Sequence, residues 1–287
     1  MNYTTLFTDF EDLRRYAEGL QADTPYEELH PSLRTAGAEI VRIITAPVYS
    51  AIAAFASDQA ASQEQLHALD LLKTAMAAGA QFRYQVFQNV KRNGSEQSLY
   101  KYQHEELKEH YQSAYWTALD SLLEWLDANG TTGGWSQSEG YRTRQALPVK
   151  SAAEFNRYYG IDGSCLFFSK IIYILRQTWS GTVLPVVRGS LEDDAVMEAA
   201  RTALCYLTMA KAVMQFDIAE LPRSIRWDYS HEFTRGSQTQ ERARLHNELR
   251  SQGQAALDKA QGLIRASSGL AAVHNHNRES DKFYSTL

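Results

Sequence analysis

The stretch from Ser164 to Trp179 limits most sharply what this chain can fold into. Read at 3.6 residues per turn, Phe167, Ile171, Ile174, Leu175 and Thr178 make one stripe. Phe168 and Ile172 widen it until only Lys170, Arg176 and Gln177 clearly favour water. A helix that is apolar around most of its girth must be covered by other helices. Gly163 in front and Gly181 behind are predicted to start and stop it. The run therefore demands a helical domain large enough to enclose it.

The rest of the chain supplies candidate partners. Thr8–Asp9 is predicted to cap a short helix reaching about Gly19, followed by a loop with Pro25 and Pro31. Ser32 then caps a helix with Leu33, Ala36, Ile40, Ile43 and Ile44. Pro47 removes a backbone donor, which predicts a break and a fresh turn through Phe55. Ser62 with Gln65 is a capping-box pattern opening a helix to about Lys91. After an Asn93–Gly94 turn, Ser95 opens a long helix to Asn129–Gly130. The run Asn129–Gly134 reads as a linker, and the text stays irregular to Pro148. A short helix at Ser151–Tyr159, the organising helix, and helices at Leu191–Phe216 and Gln238–Ala266 follow. The penultimate helix carries Val196, Ala200, Ala203, Leu204, Leu207, Lys211 and Met214 as its stripe. The last has only a thin one, Leu245, Leu249, Ala256 and Leu263, predicted to pack on one edge. Thr182–Val187 is the sole strand candidate. The fold class is all-α, a multi-helix bundle, with a first half over 1–130, a linker over 131–150, a second half over 151–268 and a tail over 269–287.

The halves resemble each other. Lys73–Thr74–Ala75–Met76 lines up with Arg201–Thr202–Ala203–Leu204, and without a gap Arg83 meets Lys211. Ser98–Leu99 meets Ser224–Ile225, Tyr102–Glu105 meets Tyr229–Glu232, and Asp12–Tyr16 resembles Glu154–Tyr158. The offsets are about 142, 128 and 127 residues, so the matches stay in order. Duplication predicts two halves with the same helix order. The competing account is chance similarity between amphipathic helices.

Charge and motifs exclude several functions. A net charge of −5 with scattered positives argues against nucleic-acid binding. No run reaches about 18 uncharged apolar residues, so no membrane span is expected. The opening residues lack the basic and apolar regions of a signal peptide. Cys165 and Cys205 read as small buried thiols. These features place the chain in a reducing, cytoplasmic setting. Glu64 and His67 form one E-x-x-H pair, where di-iron bundles need two and further carboxylates. His104, Glu105, Glu106, Glu109 and His110 form an acidic cluster, but the two histidines face different ways. His231–Glu232 lacks the second histidine of a zinc-protease helix, and His274–Asn277 reads as polar filler. No nucleophile elbow, phosphate loop or dinucleotide fingerprint is present, so no catalytic residue and no cofactor are expected.

Aromatic content outside the core stripes is the unusual feature. Among sixteen tyrosines and five tryptophans, Trp135, Tyr141, Trp227 and Tyr229 lie in irregular text beside Arg142, Arg144 and Arg226. Tyr, Trp and Arg are the enriched anchors of protein interfaces. With Phe283 and Tyr284 near the C-terminus, they are the candidate contact residues. Closing loops over the core is the alternative role.

Phe82, Lys91–Gly94, Leu99–Gln103, Glu154–Phe155, Tyr158–Tyr159 and Phe167–Phe168 carry a resemblance. There the chain is similar to an uncharacterised helical family encoded in prophages and mobile elements of Bacteroidetes-type bacteria. The resemblance implies a phage-related context, such as a head–tail connector or another virion assembly component, and no catalytic residue. The expected function is assembly or protein interaction, with a protein partner or a second copy. The competing function is a metal- or ligand-binding bundle, an enzyme using Glu64 and His67 or His104 and His110.

Overall fold

The computed structural model describes residues 3–17, 20, 24–92, 101–222, 224–225 and 235–267. Among them are eleven α-helices and no strand. The chain divides into two compact units, Met1–Gln145 with Ser164–Lys170, and Ala146–Gly163 with Ile171–Leu287.

The first unit opens with α1 (Phe10–Tyr16). Asp9 caps it by accepting from the Asp12 N–H at 2.8 Å. Helix α2 (Tyr26–Ile44) begins before Pro31 rather than at Ser32, so the expected Pro25–Pro31 loop is largely helix. The early start lets Leu29 join Leu33, Ala36, Ile40 and Ile44 on the buried stripe. That burial offsets the one backbone bond Pro31 cannot make. The chain breaks at Thr45 and bends by 110° into α3 (Ala46–Ala54), with Pro47 in its first turn. Thr45 sits at φ 74°, a region that suits glycine.

The capping box opening α4 (Gln63–Arg92) forms as read. Ser62 N–H donates to Gln65 Oε1 at 2.8 Å, and Gln65 N–H donates to Ser62 Oγ at 3.3 Å. Helix α4 pairs with α5 (Lys101–Ala128), and α2 packs on α4. The Asn93–Gly94 turn and the start at Ser95 lie outside the described residues.

The stretch read as a linker folds into this unit. A 3-10 segment, Thr132–Gln137, leads to α6 (Glu139–Gln145). Gly133 has φ 54° and lies so close to the Pro47–Val48 backbone that a Cβ would collide with it. Gly133 serves close approach, and the approach buries Trp135 with the core formed by Leu33, Ile40, Leu72, Leu119, Leu122 and Leu126.

The second unit contains α7 (Ala152–Tyr158), capped by Ser151, whose Oγ accepts from the Glu154 N–H at 3.1 Å. The organising helix is α8 (Cys165–Thr178), whose residues up to Lys170 belong to the first unit and from Ile171 to the second. In the first unit, Asp120 holds its start by accepting from Ser164 Oγ at 3.0 Å and Leu166 N–H at 2.6 Å. Gly181 does not stop the helical path. A π-helical turn at Trp179–Val183 carries it into α9 (Leu184–Val187), so the strand candidate Thr182–Val187 is helical. The buried Val183 and Val187 lie one turn apart and share a side only in a helix.

Helices α10 (Asp194–Gln215) and α11 (Arg235–Ser267) form the long pair of this unit. The thin stripe on α11 does more than edge packing. Gly253 lets it approach so closely that a Cβ there would lie 2.7 Å from Leu207 Cγ, and Leu249, Leu257 and Ala260 are buried around it. Arg242 Nε and His246 Nδ1 lie 3.0 and 2.7 Å from the carbonyls of Val213 and Ala210, near the end of α10.

Taken separately, the units share one order: a short capped helix, a core helix, a short helix with proline in its first turn, and a long pair. No single helix among the described residues is long and apolar enough to cross a membrane. The bent pair Tyr26–Ile44 with Ala46–Ser57 passes on length and composition together, but Leu33, Ile40, Ile44, Val48 and Ile52 are buried in the core.

Candidate functional site

The likeness of the units extends to individual hydrogen bonds. Tyr16 Oη donates to Asp70 at 2.7 Å, and Tyr158 Oη donates to Glu198 at 2.8 Å. Thr74 and Thr202 each donate to the carbonyl four residues back, at 2.8 and 2.9 Å. Thr8 N–H donates to Asp12 at 3.1 Å, and Lys150 N–H donates to Glu154 at 2.8 Å. Each bond falls at the 142- or 128-residue offset of the sequence alignment, which makes α7 and α10 the counterparts of α1 and α4.

The cations differ. Lys73 lies 2.8 Å from the Asp12 carboxylate, with both side chains nearly buried, and stacks over the Tyr16 ring at 5.3 Å. Burial pulls the Asp12 carboxyl upward, but Lys73 and the Thr8 N–H outweigh it and hold the group below its ordinary value. Its counterpart Arg201 donates to the Pro148 carbonyl at 3.2 Å and pairs with Glu198, one turn back on its own helix, at 3.7 Å. Arg83 is paired with Glu39 and stacks on Tyr115 at 5.9 Å. Its counterpart Lys211 donates to Thr178 Oγ1 at 3.0 Å.

The structure gathers three of the aromatic and arginine candidates. Trp135 Nε1 donates to Asp127 at 2.8 Å, and Arg144 donates to the same carboxylate through both terminal nitrogens. The guanidinium lies 5.7 Å from the Trp135 ring and 4.6 Å from the Tyr141 ring. Trp135 and Arg144 are buried and Tyr141 is half-buried, so this cluster closes the first unit; only Arg142 of the group is exposed. Arg226, Trp227, Tyr229, Phe283 and Tyr284 lie outside the described residues.

Glu64 and His67 are exposed at the start of α4, and His110 is exposed on α5; the side chain of His104 lies outside the described ones. Among the described residues no three His, Cys, Asp or Glu side chains are gathered to hold a metal. His110 borders an open groove of about 360 Å³ between α4 and α5, with Leu71, Thr74, Ser113, Thr117 and Ser121. Both thiols are free. Burial pushes Cys165 up to about 12 and Cys205 upward as well, so neither is a ready nucleophile. Asp120 is also raised by burial, against the donors at the start of α8.

The sequence reading missed a patch on the second unit. Tyr173 is 56% exposed and Met214 51% exposed. The Tyr173 ring stands edge-on to Phe216 at 6.5 Å, and its hydroxyl donates to Gln215 at 3.1 Å. Met214 was expected inside, but α10 turns Val213 to the core instead. Both positions fit the edge of a 3.6-residue stripe, so periodicity alone does not choose between them.

A family model matches residues 68–145 and 187–268, and its description is a family of unknown function, DUF6712. The chain belongs to DUF6712. The first matched segment holds most of α4 with α5 and α6, and the second holds α10 and α11, so each repeated half contributes its long pair. No curated protein and no solved structure matches the chain.

Proposed function

We propose that this DUF6712 protein is a non-enzymatic assembly component that associates with copies of itself, in a phage-related setting such as a virion connector. The exposed Tyr173 and Met214 on one helical unit carry this reading, because Tyr and Met are enriched where proteins meet. The segment with Phe283 and Tyr284 supplies a second aromatic element, and Arg142 a surface cation. The phage context rests on the sequence resemblance. Sedimentation velocity over a concentration series tests the reading. The intact chain forms a discrete oligomer, and deleting Ser280–Leu287 weakens association while leaving the melting temperature of the monomer unchanged. An unaltered association constant defeats it.

A second reading has its own observation, the groove bordered by His110. It places a small ligand there, and native mass spectrometry of the untagged protein distinguishes the two. A monomer with a stoichiometric added mass favours the ligand.

A further inference from the structure

We infer that Lys211, Met214 and Tyr173 form the receptor for the segment Glu279–Tyr284 of a neighbouring copy. The inference rests on the self-association reading and names the surface that the tail would meet.

The repeat shows what is unusual about Lys211. At the matching position of the first unit, Arg83 has the Glu39 carboxylate as its partner. Lys211 is half-buried between α8 and α10, and its ammonium meets only the neutral oxygen of Thr178. Among the described residues no carboxylate lies within ion-pair distance of it. A cation that has lost part of its hydration without gaining a counter-charge gains more from an incoming acid than an open surface lysine does. Met214 stands one helical turn further along α10, and Tyr173 faces the same end of that helix from α8. A cation therefore has an exposed apolar side chain one turn along its own helix, with a second, Tyr173, at the same helix end.

The segment Glu279–Ser280–Asp281–Lys282–Phe283–Tyr284 has the complementary order, carboxylates followed by aromatics. Docked in extended form, it would put Asp281 and Phe283 on one side, about 6.6 Å apart at the rise of a strand. Lys211 and Met214, three residues apart on a helix, are about 5–6 Å apart. The two spacings match, so Asp281 reaches Lys211 while Phe283 covers Met214, leaving Tyr284 for the Tyr173 end of the patch. The thirteen residues between Ser267 and Asp281 span up to about 45 Å when extended, enough for the segment to leave its own unit.

The test uses the full chain and measures its association constant by analytical ultracentrifugation at low salt. Lys211→Glu weakens association by about tenfold or more, and Met214→Ser by about several-fold, without a change in circular dichroism or melting temperature. Adding Asp281→Lys to Lys211→Glu restores most of the loss. Mixing Lys211→Glu with the chain lacking Ser280–Leu287 gives a one-to-one heterodimer, because one supplies the segment and the other the receptor. If the deletion weakens association but Lys211→Glu and Met214→Ser do not, the receptor assignment is overturned and the tail reading stands. If the deletion has no effect, both fall. A Lys211→Glu loss that neither the charge swap nor mixing repairs overturns the segment as the occupant.

Discussion

The two units share an order of helices but differ in how the second joins the third. In the first, α2 halts at Thr45 and turns by 110° into α3, against which the Gly133–Trp135 turn folds, and α6 packs on that turn. In the second, α8 passes through a π-helical turn into α9, and α10 lies along a longer α11. Charge follows the same divide. Lys73, Arg83 and Arg144 each reach a carboxylate on another helix, whereas Arg201 reaches the Pro148 carbonyl and Glu198 on its own helix, and Lys211 a threonine hydroxyl. What both units keep is the tyrosine–carboxylate bond that ties the short helix to the long one. A duplicated unit therefore preserves the bonds that set helix register, while its cations are free to change partners.

The largest expected difference lies at Arg144. Its side chain is 6% exposed, and removing it leaves Asp127 without its counter-ion beside a buried tryptophan. Arg144→Ala lowers stability in urea unfolding by about 3–5 kcal/mol, as for a buried pair broken on one side. The second unit has no matching cluster among its described residues. An effect below about 1 kcal/mol would mean that the aromatic closure does not hold the first unit together.

Next comes Lys73 against Arg201. Lys73→Met costs about 3 kcal/mol, because it strands the nearly buried Asp12, while Arg201→Met loses a bond to a carbonyl and a weak pair with the exposed Glu198 and costs about 1 kcal/mol. The Lys73 effect also depends on pH. The Asp12 group is depressed in the folded state, so its stabilisation is complete above about pH 4 and is lost as pH falls through the depressed value. Unfolding curves between about pH 2 and 6 show wild type and Lys73→Met converging at the acid end. A constant gap would remove the ion pair from the account.

The smallest effect is the most direct test of the repeat. Tyr16→Phe and Tyr158→Phe each remove one hydroxyl bond to a carboxylate and cost about 1 kcal/mol. Equal losses in denaturant unfolding sharpen the equivalence of the two bonds. A loss at one position only breaks it.

Much of this was readable in advance where the signal is local. The Ser62–Gln65 box, the Thr8–Asp9 cap, the short helix after Ser151 and the break near Pro47 depend on a few neighbouring residues, and all are in place. The register of the repeat was also legible, since the Lys73/Arg201 and Tyr16/Tyr158 pairings put equivalent hydrogen bonds at aligned positions. The failures share a cause. Pro31 looked like a loop, Gly133 like a linker and Gly181 like a stop, because proline and glycine are read by local preference. Each was overruled by what packs nearby: Leu29 burying ahead of Leu33, the Pro47–Val48 backbone against Gly133, and Val183 and Val187 burying beyond Gly181. The candidate site divided the same way. Trp135, Tyr141 and Arg144 were recognisable as a group, but whether they faced water depended on Asp127, which lies on another helix.

The sequence by itself determined the all-helical class, the order of the helices and the internal repeat, because amphipathic period, capping residues and like-spaced motifs act within a few turns of chain. Tertiary structure alone decided which cations meet a carboxylate, which aromatics are enclosed, and that Met214 rather than Val213 faces water. Those outcomes depend on the approach of distant helices, where one glycine or one carboxylate changes what a neighbouring side chain can touch.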